Sequence, residues 1–197
     1  MFDLNFRQGD PYLQIVGGPR SGRHGTDAMQ MVAGRERFDR ARRRAQTCGL
    51  LARIFRQPRA LLDLNLVQCP LSERHYAGQQ TVAISAIVGS EGRCRDFDRD
   101  WLPLHPALAP RWISVFAAIL QGVPMPPVTL IRVGDVYYVR DGHHRISVAW
   151  QRGCESIEAD VTVWNASVEP PSAAEAPAAE AFLRPRWSEP HEPVAVP

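Results

Sequence analysis

Apolar residues along this chain recur with two different periods, and the change between them organises it. From about Thr26 to Gln57, the residues Phe38, Ala41, Ala45, Leu50, Leu51, Ile54 and Phe55 return at the spacing that lines one stripe of a helix. Thr26 or Asp27 stands where a cap belongs, and Gly34 and Cys48-Gly49 are the two places where the helix could divide. After Pro58 a second short helix is expected over Arg59 to Val67, with Leu61, Leu62, Leu64 and Leu66 as core candidates. The period then changes. Thr81 to Val88 reads as the first strand of the main domain, and Gly89-Ser90-Glu91-Gly92-Arg93 as a polar loop leading into Arg95, Asp96, Phe97 and Asp98. Arg111 to Gln121 is an apolar helix closed by Gly122, and Pro124, Pro126 and Pro127 make a stiff connector. Val128 to Val133 and Val136 to Val139 are expected to form a hairpin about Gly134-Asp135, and Ile157 to Trp164 a last strand of period two.

Between hairpin and last strand lies the stretch that carries chemistry. Asp141-Gly142 breaks the strand, and a helix follows with Ile146, Ala149 and Trp150 on one stripe and Gly153 placed to stop it. A carboxylate, a glycine, two imidazoles and a guanidinium, Asp141 to Arg145, therefore sit where a strand becomes a helix. The first amides of a helix have no internal acceptor and its dipole favours negative charge there, so this is a phosphate-binding arrangement. Arg145 has the fork geometry to hold two oxygens. The plainer alternative is that Asp141 only caps the helix. His143 and His144, adjacent on a helix, point about 100° apart, which argues against a two-histidine metal site.

Composition narrows the classes. At 197 residues the chain is long enough for one domain with a substantial core. It has no apolar run near the roughly 20 residues that span a bilayer. Met1 to Pro11 lacks the basic start and apolar stretch of a signal peptide. A cytoplasmic protein with no membrane partner is expected. Cys48, Cys69, Cys94 and Cys154 show neither C-x-x-C nor a short Cys/His spacing, so reduced thiols are expected, with no zinc site or disulfide framework. All 23 basic residues are arginine, which excludes a Walker-type or Schiff-base lysine.

The net charge of +2 conceals an uneven distribution. Residues 20–59 hold eleven arginines against Asp27, Glu36 and Asp39, a local excess of +8, whereas residues 165–197 hold five glutamates against Arg184 and Arg186, or −3. Arg35, Arg37, Arg40, Arg42, Arg43 and Arg44 crowd the first half of the long helix. They read either as a solvated basic face or as a DNA-backbone contact through Arg40, Arg42, Arg43 and Arg44. No aromatics interleave them, so a single-strand stacking platform is not indicated. The expected division is a leader over 1–26, poorly ordered from its Gly, Pro and polar content, a basic helical segment over 27–79, a main domain over 80–164, and a tail over 165–197. Pro, Ala and Glu dominate that tail, so it is expected to be disordered. Within it Phe182, Leu183 and Trp187 flank Arg184-Pro185-Arg186, a candidate motif for docking a protein partner or for folding back onto the domain.

The order of elements, with Gln121-Gly122-Val123-Pro124, Pro127-Val128-Thr129-Leu130, Gly134-Asp135-Val136-Tyr137 and Asp141-Gly142-His143-His144-Arg145, resembles the ParB/sulfiredoxin-like domain over about residues 80–164. The resemblance implies an α+β fold, a small mixed β-sheet with packed helices, here preceded by a helical segment and followed by the tail. It also implies a nucleotide held at the turn. Gly142, His143, His144 and Arg145 would bind phosphate, with Arg93 from the charged loop, and the ligand would be ATP, ADP or CTP with Mg²⁺. Asp141, alone or with Glu91, would hold the Mg²⁺, and Glu91, Asp141 and His144 would be the catalytic groups of an NTPase or a small-molecule kinase. His143 stands where sulfiredoxin has its cysteine, the loop lacks ParB's Asn-Pro-x-Gln-Pro-Arg pattern, and no helix-turn-helix follows Trp164. The alternative function is a DNA-associated ParB-like module that uses the basic 35–44 helix without catalysis of its own.

Overall fold

The polar run Glu73 to Gln80, which has no strand-like alternation, is the edge of the sheet. The computed structural model describes residues 24–56, 58–66 and 71–166. Its elements in chain order are α1 (His24–Ile54), β1 (Leu62–Asp63), β2 (Leu71–Ala83), β3 (Ile87–Ser90), α2 (Ala109–Leu120), β4 (Val128–Val133), β5 (Val136–Asp141), α3 (His143–Gln151) and β6 (Ser156–Ala166). The strands form one mixed sheet in the order β1-β3-β5-β4-β6-β2. β1, β3 and β5 run parallel, β4 is antiparallel to β5 and parallel to β6, and β2 closes the far edge antiparallel to β6. The fold is α+β, as expected.

All three helices pack on one face of this sheet. Phe38 of α1, Trp112, Val115 and Phe116 of α2, and Ile146 and Val148 of α3 share a core with Val128, Leu130, Val139, Ala159, Val161 and Val163. Strand alternation sends Ile131 and Tyr138 to the opposite face, where they meet Leu64, Val133, Val136 and Trp164. α1 runs unbroken through Gly34 and Gly49, because Phe38, Ala41 and Ala45 are buried against the domain and hold the helix across both weak points. A buried hydroxyl ties the helices together: Trp112 Nε1 donates to Ser147 Oγ at 2.9 Å, and Ser147 Oγ donates to the Trp101 carbonyl at 2.6 Å. Ser147→Ala should therefore lower unfolding free energy by about 1–3 kcal/mol, measured by urea denaturation, because it orphans a buried donor and a buried acceptor at once.

Two expectations are corrected. The helix expected over Arg59 to Val67 is reduced to one 3₁₀ turn at Leu64–Leu66, and Val67 lies outside the described residues. Arg59 is drawn into an ion pair with Asp98, Ala60 bridges Asp98, and Leu62 and Asp63 pair in parallel with Gly89 and Ser90. Asp63 Oδ1 then accepts from both the backbone and the side-chain amide of Asn65, the middle residue of that 3₁₀ turn. Long-range pairing outweighs the leucine-rich propensity. Gly89 is the residue that lets β1 come so close: a Cβ there would lie 2.3 Å from the Leu62 carbonyl and 2.6 Å from the Tyr138 ring.

Thr81 to Val88 is likewise not one strand. A 3₁₀ turn over Ile84–Ala86 cuts it, sending the part before the turn to the β2 edge and the part after it to the opposite side of the sheet beside β5. The Ile84 amide donates to the Glu155 carbonyl at 2.9 Å, and the turn buries Ile84. The apolar pattern runs straight through the break because both halves face the same core. No helix among the described residues is long and apolar enough to cross a membrane.

Candidate functional site

The sequence Asp141-Gly142-His143 forces a strand end, a reversal and a helix start into three consecutive residues. Asp141 still pairs with Thr129 across the hairpin, Gly142 turns the chain at φ +101°, and α3 begins at His143. A side chain at Gly142 is doubly excluded, since that φ is left-handed and a Cβ would lie 2.5 Å from Val128 Cγ1. No side chain caps α3, so the plain reading of Asp141 as a helix cap does not apply. The first-turn amides are left facing outward from the helix with no internal acceptor.

Asp141 and Arg145 are brought together, but onto each other. Arg145 Nη2 donates to Asp141 Oδ2 at 2.7 Å, and its Nη1 donates to the carbonyls of Pro126 and Pro127, the latter at 2.8 Å. The proline connector, which cannot hydrogen-bond through its own nitrogens, thus has two carbonyls held by the arginine one helical turn past the glycine. Arg145 braces the turn in this conformation.

The two histidines are buried, at 5% and 6% exposure. His143 Nε2 lies 2.7 Å from Ser90 Oγ, which already accepts from the amides of Gly92 and Arg93. The hydroxyl proton therefore goes to Nε2, and His143 is a neutral imidazole carrying its proton on Nδ1. Burial first, then the Arg93 charge, pushes its pKa down to about 4. His144 packs edge-on against Phe97, with ring centres 5.4 Å apart, and its Nδ1 is buried without a hydrogen-bond partner. Burial takes its pKa down to about 3, helped by Arg111, Arg93 and His143. Both arginine charges acting on His144 come from outside its helix, and both are positive.

Glu91 falls elsewhere. Its carboxylate is held by Arg140, Nε to Oε2 at 2.7 Å and Nη2 to Oε1 at 3.0 Å, and those hydrogen bonds pull its pKa below the usual range. Arg140 alternates with Asp141 along β5 and leans toward Trp164, over which Arg74 also stacks at 4.1 Å. Glu91 thus sits with the opposite face of the sheet, and the structure does not bring it to Asp141. Arg93 is exposed and pairs loosely with Asp96 at 3.4 Å. Of the arginines on α1, Arg40, Arg43 and Arg44 are exposed, whereas Arg42 is half-buried with its Nε buried and unpartnered.

Ser90, Arg111 and Phe97 belong to this site and the sequence does not announce them. Ser90 looks like one more loop polar residue, and only the strand pairing of β3 with β5 sets its hydroxyl against His143. Among the described residues no group of three or more His, Cys, Asp or Glu is placed to hold a metal ion. Asp141 alone, already bonded to Arg145, does not fit a resident Mg²⁺. Scans against protein-family models, curated proteins and solved structures find no match to this chain.

Proposed function

We propose that this protein binds the phosphate groups of a nucleotide at the N-terminus of α3. One observation carries the reading: an uncapped helix start stands beside a buried imidazole whose Nδ1 has no partner, under the positive charge of Arg93 and Arg111. Buried polar atoms in folded proteins are almost always satisfied, and exceptions point to a missing ligand or water. An anion satisfies all of these groups together. The open amides of α3 donate to it, the neutral His144 donates from Nδ1 without having to gain a proton, and Arg93 from the loop after β3 and Arg111 from the first turn of α2 neutralise its charge. Gly142 lets the backbone come close.

The residues support binding more directly than turnover. Glu91 is committed to Arg140 and Asp141 to Arg145, so neither carboxylate is free to take a proton while those pairs hold. Hydrolysis or phosphoryl transfer at this turn would begin with Asp141 leaving Arg145, and the exposure of Asp141 at the mouth leaves room for that exchange. The test is calorimetric titration of ATP, ADP, CTP and GTP, with and without Mg²⁺, into wild type and Arg93→Ala/Arg111→Ala. Removal of two charge-assisted contacts should weaken the preferred nucleotide about 100-fold or more while leaving the melting temperature within a few degrees. Binding unaffected by both substitutions would move the ligand away from this helix, and no binding to any nucleotide would end the proposal.

A second reading rests on α1. Because Phe38, Ala41 and Ala45 face inward, Arg40, Arg43 and Arg44 are presented to solvent along one side of a long helix, a spacing suited to a DNA backbone. Salt-dependent DNA binding lost on neutralising these three arginines would support it.

A further inference from the structure

α1 is too long for the domain it packs on. At about 1.5 Å per residue its 31 residues extend about 46 Å, while its partner α2 has 12. The expected single apolar stripe is in fact two: Phe38, Ala41 and Ala45 are buried on one face, continued by the half-buried Cys48, Gly49 and Ala52, whereas Leu50, Leu51, Ile54 and Phe55 lie on roughly the opposite face and are 62%, 53%, 65% and 68% exposed. Phe55 continues the helical pattern, its backbone N–H donating a hydrogen bond to the Leu51 carbonyl at 2.9 Å. A single exposed leucine is ordinary, but four large apolar side chains at i, i+1, i+4 and i+5 form a continuous patch. On the same face, about two turns earlier, stand the exposed Arg43 and Arg44, while the exposed Arg53 and Arg56 lie toward the packed side.

The chain carries the complement of this patch. In residues 180–192, Phe182, Leu183 and Trp187 flank Arg184-Pro185-Arg186, with Glu180 on one side and Glu189 and Glu192 on the other, a local charge of −1 within a segment (165–197) of net −3. We propose that Phe182, Leu183 and Trp187 dock on Leu50, Leu51, Ile54 and Phe55, with the glutamates meeting the arginines of α1. An exposed apolar patch on an arginine-rich helix and an apolar motif in a segment of net −3 are opposite in charge, which favours a modest interface between them. The stretch from 167 to Phe182 spans about 50 Å when extended, enough to reach across a domain of this size. Tethering holds the segment at an effective concentration of order mM, so weak pairing suffices. A second copy fits less well, because placing two such patches together would set arginine against arginine. One consequence is regulatory. The docked tail shields the arginines of α1, so a polyanion and the tail compete for one helix.

The test uses the full chain, isotope-labelled, as wild type and as Phe182→Ala/Leu183→Ala/Trp187→Ala. The substitutions should shift the amide signals of residues 47–56 and speed their hydrogen exchange about tenfold, leaving residues 109–120 unchanged. High salt should move the wild-type signals part of the way toward the variant. Leu51→Ser/Phe55→Ser, at exposed positions, should shift the Trp187 indole signal. Superimposable spectra for wild type and the tail variant, or an indole signal indifferent to Leu51 and Phe55, would overturn the proposal. Shifts at residues 47–56 that grow with protein concentration would assign the patch to a second copy and overturn it equally.

Discussion

Lowering the pH from 7 to 5 should remove about 4 kcal/mol of unfolding free energy from this protein, and substituting His144 by Leu should remove about half of that dependence. The sign follows from which state takes up protons. In the unfolded chain each histidine titrates near 6.5, whereas in the fold His143 and His144 resist protonation until about 4 and about 3. Their neutral burial is fully compatible with the native state above 6.5, and stability is lost as pH falls from there toward the folded values. Asp98 is shifted up by burial, so its contribution has the opposite sign and is recovered in acid, and the lowered Glu91 begins to lose its contribution only near the ordinary carboxylate range. Denaturant titrations at pH 7, 6 and 5 measure the slope. A flat profile would mean that both rings exchange with solvent and that His144 Nδ1 is satisfied by water. His144→Leu carries a further expectation: it removes an unpartnered buried nitrogen, so stability at pH 7 should stay near wild type while nucleotide affinity falls.

Gly142→Ala should cost about 2–5 kcal/mol and abolish binding at the turn together. The left-handed φ costs a non-glycine residue about 1–2 kcal/mol, and the new methyl meets Val128, a fully buried residue of β4 that cannot move without disturbing the core, for a further 1–3 kcal/mol. Thermal unfolding of Gly142→Ala, Val128→Ala and the double variant separates the two causes. If the clash dominates, the double variant is more stable than the sum of the single losses would give, and if φ dominates the losses add. A Gly142→Ala protein as stable as wild type would mean that the turn refolds into another conformation.

The hairpin, α2, the Asp-Gly turn and β6 were legible because each is decided locally. Gly134-Asp135 closes the β4–β5 hairpin, and the Ile157–Trp164 alternation survives in a strand with one face in the core. What stayed hidden depends on residues far apart in sequence. Leucines 61 to 66 have helical propensity, yet Asp98 and Gly89, more than 25 residues on from their partners, draw Arg59 to Asp63 into extended pairing and leave only a 3₁₀ turn at Leu64–Leu66. The site divides in the same way. Its glycine and helix start can be read from the turn, but Arg145 is bound by carbonyls of Pro126 and Pro127, Glu91 by Arg140, and His143 by Ser90. Charged residues near a turn advertise chemistry, and the fold decides how many are left over for it.

The position of β6 also sets when the domain can exist. It is an interior strand, between β4 and β2, and it is the last described element to leave the ribosome. β2 is made early, and its pairing, from Leu71 with Ala166 to Ala83 with Ser156, waits for more than seventy intervening residues. Until then a 13-residue strand has no partner, and the core residues Ala159, Val161 and Val163 are missing from the centre of the sheet. Closure is therefore a single late, non-local event of the kind that slows folding. Nascent chains arrested before Ser156 should remain open to protease, and chains released just past Ala166 should become resistant in one step.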